Sequence, residues 1–283
     1  MDCEYILQLH CPDRPGVLAN VTAALAKQAG DVRDAVSFGD ESTGEFFIRC
    51  HLTLPDAAAA EAFRADIQTL SAQFDLRWEL HDCAVRPRIL IAVSKFDHCL
   101  LDLLHRWKGG ALAADIPLVI SNHDDARDLV EWHGIDYEHL PITKDTKPEQ
   151  EGQILERIEA HSIDLVVLAR YMQILSPDLC RALAGRCINI HHSFLPGFKG
   201  AMPYKQAHDR GVKLIGATAH YVTEDLDEGP IIEQDVRRVT HATSAAEMAA
   251  IGRETEASVL ARAVRWHLEH RIMMNGSKTV VFA

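Results

Sequence analysis

Hydrophobic and polar positions follow one rule in the first third of the chain and another in the rest. Residues 5–10 alternate in polarity, the period of a strand with one buried face. Cys11-Pro12-Asp13-Arg14-Pro15-Gly16 comes next, where Asp13 is placed to cap a helix and Pro15 suits a first helical turn. Val17, Leu18, Val21, Ala24 and Leu25 then recur at helical spacing, and Gly30 reads as the stop. Strand-like runs cover residues 32–38 and 45–54. Asp56 opens an alanine-rich helix to about Ala72, and a last strand is expected over residues 75–81. Beyond the linker-like Val85-Arg86-Pro87-Arg88, a continuous apolar run at 89–93 and similar, mostly apolar runs at 116–120, 165–168 and 187–190 alternate with helical stretches. Such runs mark strands buried on both faces. Ser244 and Glu247 form a capping box that opens a helix to about His270.

The first pattern is β-α-β-β-α-β, the ferredoxin-like arrangement, and the second is α/β with a mostly parallel, Rossmann-like sheet. Two domains are therefore expected, 1–84 and 85–283, which suits a length of 283 residues. Composition adds exclusions. Lys and Arg number 29 against 41 Asp and Glu, a formal charge of −12, which disfavours a nucleic-acid partner. The start, Met1-Asp2-Cys3-Glu4, lacks the basic and apolar regions of a secretory signal. The most apolar stretch, 165–175, is broken by Arg170 and falls short of the ~20 residues that span a bilayer. No membrane partner and a cytoplasmic location are expected. Seven cysteines without a Cys-x-x-Cys pair fit reduced thiols better than disulfides or a zinc site.

The chain lacks the glycine-rich dinucleotide and triphosphate loops, H-E-x-x-H and G-x-S-x-G. Its chemistry gathers instead at Ile188-Asn189-Ile190-His191-His192-Ser193-Phe194-Leu195-Pro196. Asn189 and His191 share a strand face at the edge of the sheet where ligands bind in open α/β folds. A second cluster runs from Ala219 through His220 to the acidic loop 224–228 and Gly229-Pro230. An amide donor, an imidazole and a carboxylate are the parts for acyl hydrolysis or transfer without a nucleophilic serine. The spacing is met equally by a satisfied hydrogen-bonding pair and a solvated acidic turn. His191, His192, His220 and Asp227 are also possible metal ligands, but their spacing matches no known site, and no metal or cofactor is expected.

These residues resemble the signature of the formyltransferases that use 10-formyltetrahydrofolate. Asn189-x-His191, Ser193-Phe194-Leu195-Pro196, Lys199-Gly200, Gly216-Ala217-Thr218-Ala219-His220, Asp227-Glu228-Gly229-Pro230 and the upstream Ala169-Arg170-Tyr171-Met172-Gln173-Ile174-Leu175-Ser176-Pro177 occur in matching order over residues 87–283. Lys95-Phe96-Asp97-His98-Cys99-Leu100, Leu118-Val119-Ile120-Ser121-Asn122-His123 and the doubled His191-His192 look like the formyltetrahydrofolate deformylase family. Asp13-Arg14-Pro15-Gly16-Val17 resembles the opening of an ACT domain, which those deformylases carry.

The resemblance implies Asn189, His191 and Asp227 as the catalytic trio, with Met172, Ile174 and Leu175 lining a folate pocket. By periodicity alone those three read as plain core. Tyr221, Val222 and Thr223 belong to the loop expected to meet the pterin. His192, expected to face the other way, either supports the site or shapes the water position, and His220 supports the Asp227 loop. The ACT module is expected to associate in a homodimer or homotetramer. Whether it also binds an amino-acid effector beside Asp13, Arg14, Pro15 and Gly16 is open.

The implied reaction is hydrolysis of 10-formyltetrahydrofolate to tetrahydrofolate and formate for purine synthesis. Formyl transfer to an amine and a non-catalytic folate sensor are the alternatives. Water is favoured as acceptor because the loop after the first strand of the second domain, 94–99, has no glycine to bring backbone N–H groups against a phosphate.

Overall fold

The computed structural model describes residues 3–197 and 203–283; Lys199 and Gly200 of the signature lie outside them. The chain divides into two units, Met1–Arg86 with His270–Ala283, and Pro87–Glu269.

In the first unit, β1 (Cys3–Pro12), β2 (Asp31–Asp40), β3 (Glu45–Leu54) and β4 (Arg77–Asp82) form an antiparallel sheet in the order β2-β3-β1-β4. Helices α1 (Val17–Lys27) and α2 (Ala57–Phe74) bury one stripe each. Val21 and Leu25 of α1 meet Phe63 and Ile67 of α2 over Leu7, Leu9, Leu52 and Leu54 in one apolar core. The expected ferredoxin-like order is present.

Local details correct the sequence reading. Asp13 does not cap α1: its backbone N–H donates to Gly44 O at 2.8 Å, so the chain is still tied to the β2–β3 turn at that point. Gly16, in the left-handed region at φ 93°, takes the cap position, and Pro15 precedes the helix. Gly30 is not the left-handed stop either; Ala29 is, at φ 55°. Gly30 is needed for space, because a Cβ there would lie 2.3 Å from Leu25 Cδ1 and 2.9 Å from Thr53 O. Asp56 does cap α2, accepting from Ala59 N at 2.8 Å.

The second unit holds β5 (Arg88–Val93), α3 (His98–Lys108), β6 (Asp115–Ser121), α4 (Arg127–Trp132), β7 (Asp136–His139), α5 (Lys147–Ala160), β8 (Leu165–Ala169), α6 (Pro177–Ala182), β9 (Cys187–His191), α7 (Pro203–Asp209), β10 (Leu214–Tyr221), β11 (Ile231–Arg238) and α8 (Ala245–Leu268). Its sheet runs β11-β10-β9-β8-β5-β6-β7. Strands β5 to β9 are parallel, and β10 is antiparallel to both neighbours. From β5 the chain winds outward through β6 and β7, then returns to build β8 and β9 on the other side. That reversal is a topological switch point, which leaves a crevice beyond the strands' C-terminal ends. Strand β8 is apolar throughout and β5 is apolar after Arg88, the pattern of strands covered on both faces. The Ser244–Glu247 capping box opens α8 as expected.

The expected extent 85–283 for the second domain needs correction at its end. After α8, the hairpin β12 (Ile272–Asn275) and β13 (Lys278–Val281) is held by the first unit. Gln8 Nε2 donates to Ile272 O at 3.0 Å, Arg49 Nε to His270 O at 3.0 Å, and Asn275 Nδ2 to Asp40 Oδ2 at 2.7 Å. Chain order could not reveal this return. Among the described residues, no helix is long and apolar enough to cross a membrane.

Candidate active site

Strand β9 reads Cys-Ile-Asn-Ile-His, so its two polar side chains fall on one face near its C-terminal end. The antiparallel register sets His220 of β10 directly opposite Asn189, and Thr218 opposite His191. Cross-strand partners on one face touch. Accordingly Asn189 Nδ2 lies 3.3 Å from His220 Nε2. His220 Nδ1 lies 2.9 Å from Tyr221 O, a contact that requires the N–H there. The other ring nitrogen is then bare and accepts from the Asn189 amide, leaving the second amide hydrogen uncommitted. Burial pushes the His220 pKa down against the opposing pull of that carbonyl and of Asp227, so the ring stays neutral.

The acidic loop after β10 folds back on the strand. Tyr221 N donates to Pro230 O at 2.9 Å, Thr223 Oγ1 to Asp225 O at 3.1 Å, and Val222 N to Cys187 O at 2.9 Å. Gly229 packs so closely that a Cβ would lie 1.7 Å from Tyr221 O; no other residue fits there unless the loop moves. Asp227 sits in the left-handed region at φ 59°, a conformation that short polar side chains tolerate best. Its Oδ1 lies 3.2 Å from His191 Nδ1 and 3.8 Å from His220 Nε2. Burial raises the Asp227 carboxyl, but the His191 hydrogen bond and the neighbouring histidine rings outweigh it, and the net shift is downward. Asp227 is therefore an ionised acceptor for His191 Nδ1–H. The opposite nitrogen, His191 Nε2, is buried and has no hydrogen-bond partner among the described residues.

Asn189, His191 and Asp227 line one cavity of about 310 Å³, together with His192 and His220. Its apolar wall carries Met172, Ile174, Leu175, Val222 and Leu226. Met172 and Ile174 are 51% and 62% exposed, which rules out a plain core role. That wall is held from below: Ser94 Oγ accepts from Met172 N at 3.0 Å while donating to Asn122 Oδ1 at 2.6 Å. Glu151 Oε1 accepts from Ser176 N at 2.9 Å.

Val222 and Thr223 line the cavity as expected, but Tyr221 does not. Strand alternation turns it from His220's face, and its hydroxyl lies 2.7 Å from His267 Nδ1 of α8. His192 also departs from expectation. Strand β9 ends at His191, so alternation stops there, and the His191 and His192 rings lie side by side at 5.2 Å. The loop Asp13–Gly16 is exposed in the first unit.

Sequence reasoning missed the polar cluster on the other side of His192. Arg170, the residue after β8, lines the cavity at φ 63° with its side chain only 9% exposed. Its Nε lies 3.3 Å from Glu256 Oε2 on α8. His98 Nε2 lies 2.8 Å from the same carboxylate, and Tyr204 Oη donates to Oε1 at 2.5 Å. His98, Cys99 and Glu256 are close enough to share an ion, but Glu256 is already engaged from three sides and the Arg170 cation opposes a second one. The signal for Arg170 was a charge ending an otherwise apolar strand.

Burial, reinforced by the Arg170 charge, pushes His192 down to about 4. A folded pKa below the unfolded value of ~6.5 means that the unfolded chain binds the extra proton between those limits. Stability should therefore rise with pH from about 4 to ~6.5, by a few kcal/mol, and level off above. His192→Gln should flatten that part of the melting-temperature profile; an unchanged slope would remove His192 from this role.

A sequence model of the formyl transferase family matches residues 87–264, and an ACT domain model matches residues 5–65. The chain is 46% identical over 280 residues to a formyltetrahydrofolate deformylase from Corynebacterium sp. (strain P-1), covering 98% of this chain and 97% of that one. The crystal structure of a formyltetrahydrofolate deformylase from Burkholderia mallei ATCC 23344 superposes with a TM-score of 0.94 at 49% identity, covering 99% of this chain and 100% of that one. Glycinamide ribonucleotide transformylase 1 from Symbiobacterium toebii is similar over 72% of this chain and 98% of its own, with a TM-score of 0.66 and 28% identity.

Proposed function

The chain belongs to the formyltetrahydrofolate deformylase family, whose reaction is hydrolysis of formyltetrahydrofolate, and from that premise we propose how Asn189, His191 and Asp227 carry it out. The observation that carries the proposal is the Asp227–His191 contact at 3.2 Å, which leaves His191 Nε2 open beside Asn189.

The formyl group on N10 of tetrahydrofolate sits against Asn189, with the folate body on the Met172, Ile174, Leu175, Val222 and Thr223 side of the cavity. Water attacks the formyl carbon, and its proton passes to His191 Nε2. Asp227 holds the ring with Nδ1–H toward itself and stabilises the imidazolium that forms, which general acid–base catalysis needs near neutral pH. The free Asn189 N–H donates to the tetrahedral oxyanion. The imidazolium returns the proton to N10, the C–N bond breaks, and formate and tetrahydrofolate are released. Every step uses side chains of the chain itself, with no resident metal or cofactor.

Water as acceptor is supported by the loop after β5. Its Ser94 hydroxyl is spent on Asn122 and Met172, and no glycine there opens backbone N–H groups to a phosphate. The first unit is proposed to bring copies together in a homodimer or homotetramer and to take an amino-acid effector beside Asp13, Arg14, Pro15 and Gly16. The enzyme is assigned to the cytoplasm, where formate would feed purine synthesis.

The test is incubation with 10-formyltetrahydrofolate and no amine acceptor. Stoichiometric formate and tetrahydrofolate are expected. Tetrahydrofolate formed only after an amine is added, with the formyl group on the amine and no formate released, would make the chain a transferase, and binding without turnover would make it a sensor.

A further inference from the structure

Arg170 is the only arginine or lysine among the described residues lining the cavity, and the mechanism leaves it unused. Arg170 follows five buried apolar residues of β8, and its side chain is 9% exposed. A non-glycine residue in the left-handed region is strained and persists only where its surroundings hold it there. Here the guanidinium is held on two sides. It lies over the Phe96 ring at 5.6 Å, and its Nε approaches Glu256 Oε2 at 3.3 Å without the alignment of a hydrogen bond. Both Nε and Nη1 are buried and have no hydrogen-bond partner among the described residues. Donors on a buried cation are normally satisfied, because leaving them bare forfeits their hydration.

Glu256 does not satisfy them, because Nε is not aligned with its nearest oxygen. Its Oε1 takes the Tyr204 hydroxyl and its Oε2 is shared with His98. Arg170 therefore brings unsatisfied guanidinium donors to the wall of the cavity that holds His191. The reaction itself makes the small planar anion that a guanidinium fork fits. His192, in edge contact with Tyr204 at 6.3 Å and beside His191, stands between the two places.

We propose that Arg170 is the product-side anion site, taking the carboxylate of formate as the C–N bond breaks and drawing it past His192, away from tetrahydrofolate. The assignment rests on the hydrolytic reading above. The neighbouring Glu256 carboxylate offsets part of the Arg170 charge, so the anion is held weakly and can leave.

The experiment is inhibition of initial rates in the full-length protein by sodium formate, against sodium chloride at equal ionic strength. Formate should inhibit more strongly than chloride. Arg170→Gln should raise its inhibition constant about tenfold or more, and Arg170→Lys by less, since a charge remains without the fork. Glu256→Gln, which removes the offsetting charge, should lower it. Tetrahydrofolate affinity should stay within about threefold throughout. If Arg170→Gln fails to fold, Arg170→Lys and Glu256→Gln decide the matter by shifting the constant in opposite directions. Inhibition equal to that by chloride would mean an adventitious ion only, and unchanged constants in the variants would equally overturn the site. Formate binding measured by calorimetry, in a protein that releases none from its substrate, would sink the hydrolytic reading and leave the anion site standing.

Discussion

Asp227→Asn is expected to cut formate release by about 10²–10⁴-fold with tetrahydrofolate affinity retained, the range that a positioned acid–base group supplies. Asparagine suits the test because it keeps the size of the side chain and tolerates the left-handed backbone at φ 59°, where alanine would add strain. Only the charge is lost. Without it His191 Nδ1–H has a weaker acceptor, the imidazolium is no longer stabilised, and the amide can turn its NH₂ toward the ring and favour the wrong tautomer. The pH dependence follows from the shift at Asp227. Its folded pKa is depressed, so the carboxylate's contribution to stability is complete above the unfolded value of ~3.9 and fades as pH falls through the folded one. Loss of activity on acidification well above that range therefore reports an imidazole and not Asp227. The variant's stability deficit should shrink in strong acid, as read by urea midpoints at several pH values. Turnover within threefold of the parent would remove Asp227 from the mechanism.

The parts of this site that could be read in the sequence are those governed by local periodicity. Asn189 and His191 share a face because a strand has a period of two, and residues 187–190 were apolar enough to mark the strand. His220 opposite Asn189 was not legible, since antiparallel register is set by where β10 returns beside β9. The same limit explains His192. Alternation predicts the opposite face only while the strand continues, and β9 stops one residue earlier. Tyr221 is the converse case: read as part of a loop, it is still strand, and alternation sends it to His267. Met172 and Ile174 looked like core because periodicity records which side chains share a face and not what covers that face. The Arg170–Glu256 pair joins residues 86 positions apart, a separation at which spacing says nothing. The C-terminal hairpin fails for the same reason, since its partners Gln8, Asp40 and Arg49 lie more than two hundred residues upstream.

Asn189→Ala should lower kcat by about 10²–10³-fold with little change in KM. The split follows from timing. The formyl oxygen in bound substrate carries little charge, so a neutral amide donor gains little from it. As water adds, the charge localises on oxygen, and the same N–H becomes a charge-assisted bond. An interaction realised only at the transition state appears in kcat and kcat/KM alike. The substitution also strips His220 Nε2 of its donor at 3.3 Å, so part of the loss could come through the 3.8 Å neighbour Asp227. His220→Gln separates the two effects, because it disturbs the partner while keeping the Asn189 amide. If the amide acts directly on the oxyanion, His220→Gln retains most of the turnover that Asn189→Ala loses. Equal losses in the two variants would mean that Asn189 acts only by fixing the Asp227 loop, and a KM rise without a kcat loss would place it in substrate binding alone.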